Sequence, residues 1–157
     1  MLLTPHTLVG ISVALAVQNP LIAVPVSFIL HFVGDAVPHW DFYTRTTKEQ
    51  KLTGWRPLGV MADFGFGIAV GLTATLYVLW VLGMPGLALT VFLSGIASVL
   101  PDVLTGPSIY VSNVGGFFKA IHTLQRRINN SASVFFGLLT QVIVTLLALF
   151  LILNSIK

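Results

Sequence analysis

The chain has 157 residues, of which 55% are hydrophobic and 8% charged, with a formal net charge of +3 and a mean hydropathy of +0.93. That balance excludes an ordinary soluble domain and predicts an integral membrane protein. Cysteine is absent, which excludes disulfides and thiolate sites, so any metal must be held by His, Asp or Glu.

Several apolar runs approach the roughly 30 Å hydrocarbon core at about 1.5 Å per helical residue, and none alternates like a barrel strand. The expectation is one all-α membrane domain over 1–157, a polytopic bundle of about five helices plus one interfacial helix. The first helix is expected at 5–17, with Thr4 as N-cap and Pro5 at the first helical position. Lacking a basic leader and a small-residue cleavage site, it reads as a retained helix. "QNP" then turns the chain into a helix over 20–37, with Pro25 as a kink and Pro38 as the stop. The first segment is short for a crossing, so this pair reads as a tilted or a re-entrant hairpin.

Residues 38–56 carry Arg45, Lys48, Glu49, Lys51 and Arg56 and belong in water or at the headgroups. A helix over 57–82 follows, then the turn "GMPG", then a helix over 87–100 that Pro101 is expected to end. Residues 101–113 read as turn-rich. The segment 114–128 places Phe117, Phe118, Ile121, Leu124 and Ile128 on one face, with Lys119, His122, Thr123 and Arg126 on or near the other. That pattern is an interfacial helix. A final crossing is expected over 131–153.

Threading five helices in turn puts residue 1, the loop 38–56 and the segment 101–130 on one side, with seven of the eight basic residues; Lys157 alone falls opposite. By the positive-inside rule, the loaded side is cytoplasmic at the inner membrane and the C-terminus lies outside. All four histidines and all five acids are expected within about two turns of that same face. Burying such groups costs several kcal/mol unless they are paired, hydrated or metal-bound.

His31 and Asp35 share a helical face, and His39 and Asp41 follow the proline break. Neutral imidazole with carboxylate suits Zn2+, or Mn2+ and Fe2+ where oxygen ligands dominate. Plainer roles stand beside this: His122 as an exposed side chain, His6 as a hydrogen-bonding one, Asp102 as a turn cap, Asp63 as a first-turn acid favoured by the helix dipole.

The run "HFVGDAVPHWD", with His31, Asp35, Pro38 and His39, resembles the metal-binding helix end of zinc-dependent phospholipase C and related zinc nucleases. With an opening "PH" helix and a later "PD", the chain more broadly resembles the membrane-bound metal-dependent hydrolase family (YdjM-like). The resemblance implies a helical metal site and phosphoester or other hydrolytic chemistry, carried to His31, Asp35 and His39 and extended to His6, Asp41, Asp102 and His122. Asp63 or Asp102, if not a ligand, then stands as the general base, and Lys119, Arg126 and Arg127 as holders of a phosphate.

A membrane lipid or lipid-linked phosphate is the expected substrate, because the site falls at headgroup level. Two other functions fit the same residues: an ion or proton transporter, and a structural protein stapled by its metal. No nucleic-acid partner is expected from so few basic residues, and nothing in the pattern specifies an oligomeric state.

Overall fold

The computed structural model describes residues 1–111 and 113–156. Lys157, expected opposite the other basic residues, lies outside them. Among the described residues there are seven α-helices and no strand. They are α1 (Leu3–Val17), α2 (Pro20–Ala36), α3 (Lys48–Leu52), α4 (Trp55–Leu76), α5 (Pro85–Tyr110), α6 (Gly116–Ile128) and α7 (Val134–Ser155). A π-helical turn, Tyr77–Val81, extends α4.

Three helical stretches are long and apolar enough to cross a membrane: Trp55–Val81, Pro85–Tyr110 and Val134–Ser155. The helices α1 and α2 are apolar but shorter.

The short first helix occupies the middle of the bundle. It packs against α2, α4, α5 and α7, and Thr7, Leu8, Ile11, Ala14 and Leu15 are all buried. Small residues permit this. A Cβ on Gly10 would lie 2.6 Å from the Ser94 carbonyl oxygen, so the α1 and α5 backbones approach as only glycine allows. At one end of the bundle Ile11, Ala14 and Leu15 close against Val78, Leu87, Ala88 and Val91. Outward faces of α4 and α7 carry large exposed apolar side chains such as Met61, Phe66, Leu146 and Phe150, as a lipid-facing surface requires.

Two helix boundaries, one additional helix and one buried face differ from the sequence expectation. The first helix begins at Leu3, and Leu2 caps it without a side-chain bond. Thr4 is therefore not the N-cap; the first amides are met by Asp63 from α4, which accepts from Leu3 N at 2.6 Å and Thr4 N at 3.2 Å. Within the polar loop, Thr47 and Gln50 form a reciprocal capping box that starts α3.

Pro101 does not end α5, which runs through both Pro101 and Pro107 to Tyr110. Inside a bundle, neighbouring helices supply bonds that a proline removes. Pro101 cannot donate to the Ala97 carbonyl, and the next carbonyl, that of Ser98, accepts from His31 Nδ1 of α2 at 2.8 Å. Finally, α6 buries Gln125 rather than its large apolar residues; Phe117 and Leu124 are exposed.

Candidate metal centre

His31 and Asp35, four apart on α2, bring Nε2 and Oδ2 to 3.3 Å. His6, on α1, approaches from the side: its Nε2 lies 3.2 Å from Asp35 Oδ1, and its ring stacks on His31 with centroids 4.1 Å apart. Gly34 makes that possible, because a Cβ there would stand 3.0 Å from His6 Cε1 and 2.9 Å from Met1 Cε. Asp102, carried inward because α5 continues past Pro101, places Oδ1 3.6 Å from His31 Nε2. His6, His31 and Asp102 thus offer ligand atoms that all lie within 4.8 Å of one another, a group that could hold a metal ion.

The tautomers follow from the backbone. A carbonyl only accepts, so His31 Nδ1 carries the proton given to Ser98 O, and Nε2 is the ring nitrogen turned to Asp35 and Asp102. His39 repeats this arrangement, with Nδ1 donating to the Val37 carbonyl at 2.9 Å. Metal-binding histidines usually have their outer nitrogen held in this way by a backbone oxygen or a carboxylate. Between Asp35 and His39 sits the Met1 amine, donating to Asp35 Oδ1 at 2.6 Å and His39 Nε2 at 2.8 Å. A carboxylate and an imidazole lone pair facing one positive group form a position suited to a cation.

A further layer of contacts fixes these side chains. The stretch after α2 is zipped to the one before α7: Asn130 N donates to the Asp35 carbonyl at 3.0 Å and Ala132 N to the His39 carbonyl at 2.7 Å. Gln141, in α7, accepts from Leu2 N at 2.8 Å and donates to the Trp40 carbonyl at 2.8 Å. Gln125, in α6, donates from one nitrogen to His31 Nε2 at 2.9 Å and to Asp102 Oδ1 at 2.7 Å. Its carboxamide therefore covers the open side of the group.

Asp35, Asp102 and Gln125 line a polar cavity of about 380 Å³ whose other walls include Arg45, Lys51, His122 and Arg126. Three basic side chains thus share one space with three carboxylates, since Asp41 lines it too. Burial, then the charges of Lys51 and Arg126, hold the His122 imidazole below its ordinary range, so it is neutral at neutral pH. His39 is lowered too, first by burial and then by the Met1 amine. The Tyr43 and Tyr110 hydroxyls hydrogen-bond each other at the cavity's edge, and burial followed by that bond raises the Tyr43 pKa.

Of the residues expected from sequence, the structure brings His6, His31, Asp35, His39 and Asp102 together. Asp102, expected as a ligand or else as the general base, stands among the possible ligands. Asp41 lies alongside, its Oδ2 3.8 Å from His39 Nε2, while its Oδ1 accepts from Tyr43 N at 2.7 Å and shapes the following turn. His122 is on the cavity wall and outside the ligand group.

Asp63, the other expected base, accepts from Leu3, Thr4 and the Thr4 hydroxyl and so caps α1. Arg126 lines the cavity; Lys119 and Arg127 are exposed on α6 and do not. Sequence reasoning missed Gln125, Arg45 and Lys51. A glutamine three residues after His122 was the available signal for the first, since polar side chains are scarce in so apolar a chain.

The chain matches no protein family, no curated protein and no solved structure, so the chemistry of this centre carries the functional argument.

Proposed function

We propose that the chain is a membrane-embedded, metal-dependent hydrolase that cleaves a phosphoester of a lipid or lipid-linked substrate at the cytoplasmic face. The observation that carries this reading is the His6–His31–Asp102 group beside a cavity walled by Arg45, Lys51 and Arg126. His6, His31 and Asp102 would hold the ion, with Asp35 against both imidazoles; all-nitrogen-and-oxygen donors suit Zn2+, and Mn2+ or Fe2+ also fit. Such an ion supplies Lewis acidity and activates water at neutral pH.

The chain's own residues do the rest. The Ser98 and Val37 carbonyls keep His31 and His39 in the tautomer with Nε2 inward. Arg45, Lys51 and Arg126 neutralise the anionic oxygens of the ester and orient it toward Asp35 and Asp102. Asp41, lining the cavity beside His39, is placed to take a proton from the attacking water. Transport is less well supported, because the bundle is closed by apolar packing of Ile11, Leu15, Val78 and Val91 away from these groups.

The excess of basic residues in the loop 38–56 and in α6 favours a cytoplasmic site with the C-terminus outside; C-terminal reporter fusions test it, and a cytoplasmic C-terminus would reverse the assignment. The reaction is tested by screening lipid and soluble phosphoesters with metal-loaded protein. Turnover should vanish in Asp102→Asn, whereas Arg126→Ala should raise KM and Lys119→Ala should leave it unchanged. No turnover, together with ion flux into liposomes that Asp35→Asn abolishes, would replace hydrolysis with transport.

A further inference from the structure

Beside the polar cavity lies an apolar one of about 280 Å³ between α4 and α5. The two share Met1, Asp41, Tyr43, Asp102, Thr105 and Ile109 along their common edge. Leu3 and Phe64 then belong both to this apolar cavity and to a third space of about 110 Å³ further along the same pair of helices. That space has Ile68 and Leu72 of α4 on one wall, Phe92 and Ile96 of α5 on the other, and Thr7 of α1 behind.

Joined end to end, these spaces make a groove that leaves the charged cavity and follows α4 from Val60 to Leu72, about 18 Å at 1.5 Å per residue. That length is over half of the roughly 30 Å hydrocarbon thickness.

Three features indicate what the groove takes. Its walls are half-open to the outside, since Phe64, Ile68, Phe92 and Ile96 are each 40–47% exposed. Apart from the shared edge it is lined by apolar and small residues; Asp63 is occupied in capping α1. Gly95, on α5, is buried, yet a Cβ added there would meet nothing within 4 Å. A buried glycine facing open space marks room for a ligand rather than tight helix contact.

We infer that the α4–α5 groove receives the hydrocarbon chain of an amphiphile whose anionic head lies among Arg45, Lys51 and Arg126, so that the substrate enters sideways from the membrane. This rests on the phosphoester reading for the identity of the head, while the groove itself is carried by geometry. The head end is charged, with Arg45, Lys51 and Arg126 beside the aspartates, the tail end is apolar, and the two share an edge, which a polar metabolite would not use and a lipid-linked phosphate would. A free phosphate would fill only the cavity.

The test is photo-crosslinking in phosphatidylcholine nanodiscs with dodecyl phosphate carrying a diazirine at its chain end. Label should concentrate on the peptides bearing Ile68–Leu72 and Val91–Ile96, and unlabelled dodecyl phosphate should compete where dodecanol and inorganic phosphate do not. Gly95→Leu, which fills the groove without touching the cavity, should reduce labelling several-fold, as should Ile68→Trp from the opposite wall and Arg126→Glu at the head end. Leu146→Phe, on the outer face of α7, should change nothing.

Unfolding temperatures of each variant separate a filled groove from a lost fold. Label spread evenly over α7 and indifferent to Gly95→Leu and Ile68→Trp would overturn the groove. Groove labelling that obeys these variants without hydrolysis of any ester would retain the groove and remove the hydrolase.

Discussion

Gln125 donates to Nε2 of His31 at 2.9 Å and to Oδ1 of Asp102 at 2.7 Å, one carboxamide nitrogen engaging two of the atoms best placed to hold a metal. Those bonds must break, or the amide must turn, when an ion takes the same lone pairs. Gln125→Leu should therefore tighten Zn2+ binding by about tenfold, the equivalent of about 1.4 kcal/mol and in keeping with two modest net hydrogen bonds. Competition against a chromophoric chelator measures it. Weaker binding in the variant would instead make the Gln125 carbonyl oxygen a ligand.

Asp63 caps α1, since it accepts from both leading amides of that helix and from the Thr4 hydroxyl at 2.7 Å. Its replacement by alanine leaves those donors without their partner and should cost about 1–2 kcal/mol, as the loss of a strong N-cap does. Asp63→Asn, which still accepts, should cost less. Denaturant unfolding in mild detergent reads both, and metal content should be unchanged. Lost turnover with unaltered stability would return Asp63 to the chemistry.

The candidate centre was legible because charge is rare in this chain: His31, Asp35, His39 and Asp41 fall within eleven positions of a sequence that is 8% charged. Its completion was not. Asp102 reaches the group only because α5 continues through Pro101, a residue that ends helices in water but is tolerated where neighbours supply the missing bonds.

Gln125 was hidden by reading α6 as two-faced, with an apolar side in lipid and a basic side in water. The helix has a third side, turned to the bundle, and a neutral amide there leaves no mark on the charge pattern. Likewise α1 is too short to announce a crossing, and its burial depends on glycine and small residues meeting α5 rather than on its own periodicity.

Acid should destabilise the metal-free protein through His39. Its folded pKa is lowered by burial and by the Met1 amine, whereas the unfolded value is about 6.5. Below about pH 6.5 the unfolded state takes up the proton first, so stability falls as pH falls toward the folded pKa. His122, lowered as well, acts in the same direction. Unfolding temperature against pH after chelator treatment should slope downward into acid, and His39→Gln should flatten the slope without removing it. A slope unchanged in that variant would show that His39 takes up its proton equally in both states.

The most direct test is the metal content of protein purified without chelator, measured by elemental mass spectrometry on the wild type and on His6→Ala, His31→Ala and Asp102→Asn. The wild type should carry at least about one transition-metal ion per chain, as a His/Asp group of this kind allows, and each variant should lose most of it while keeping its helical content. Full occupancy in His31→Ala, or folded wild-type protein that takes up no Zn2+, Mn2+ or Fe2+ when offered them, would contradict the assignment.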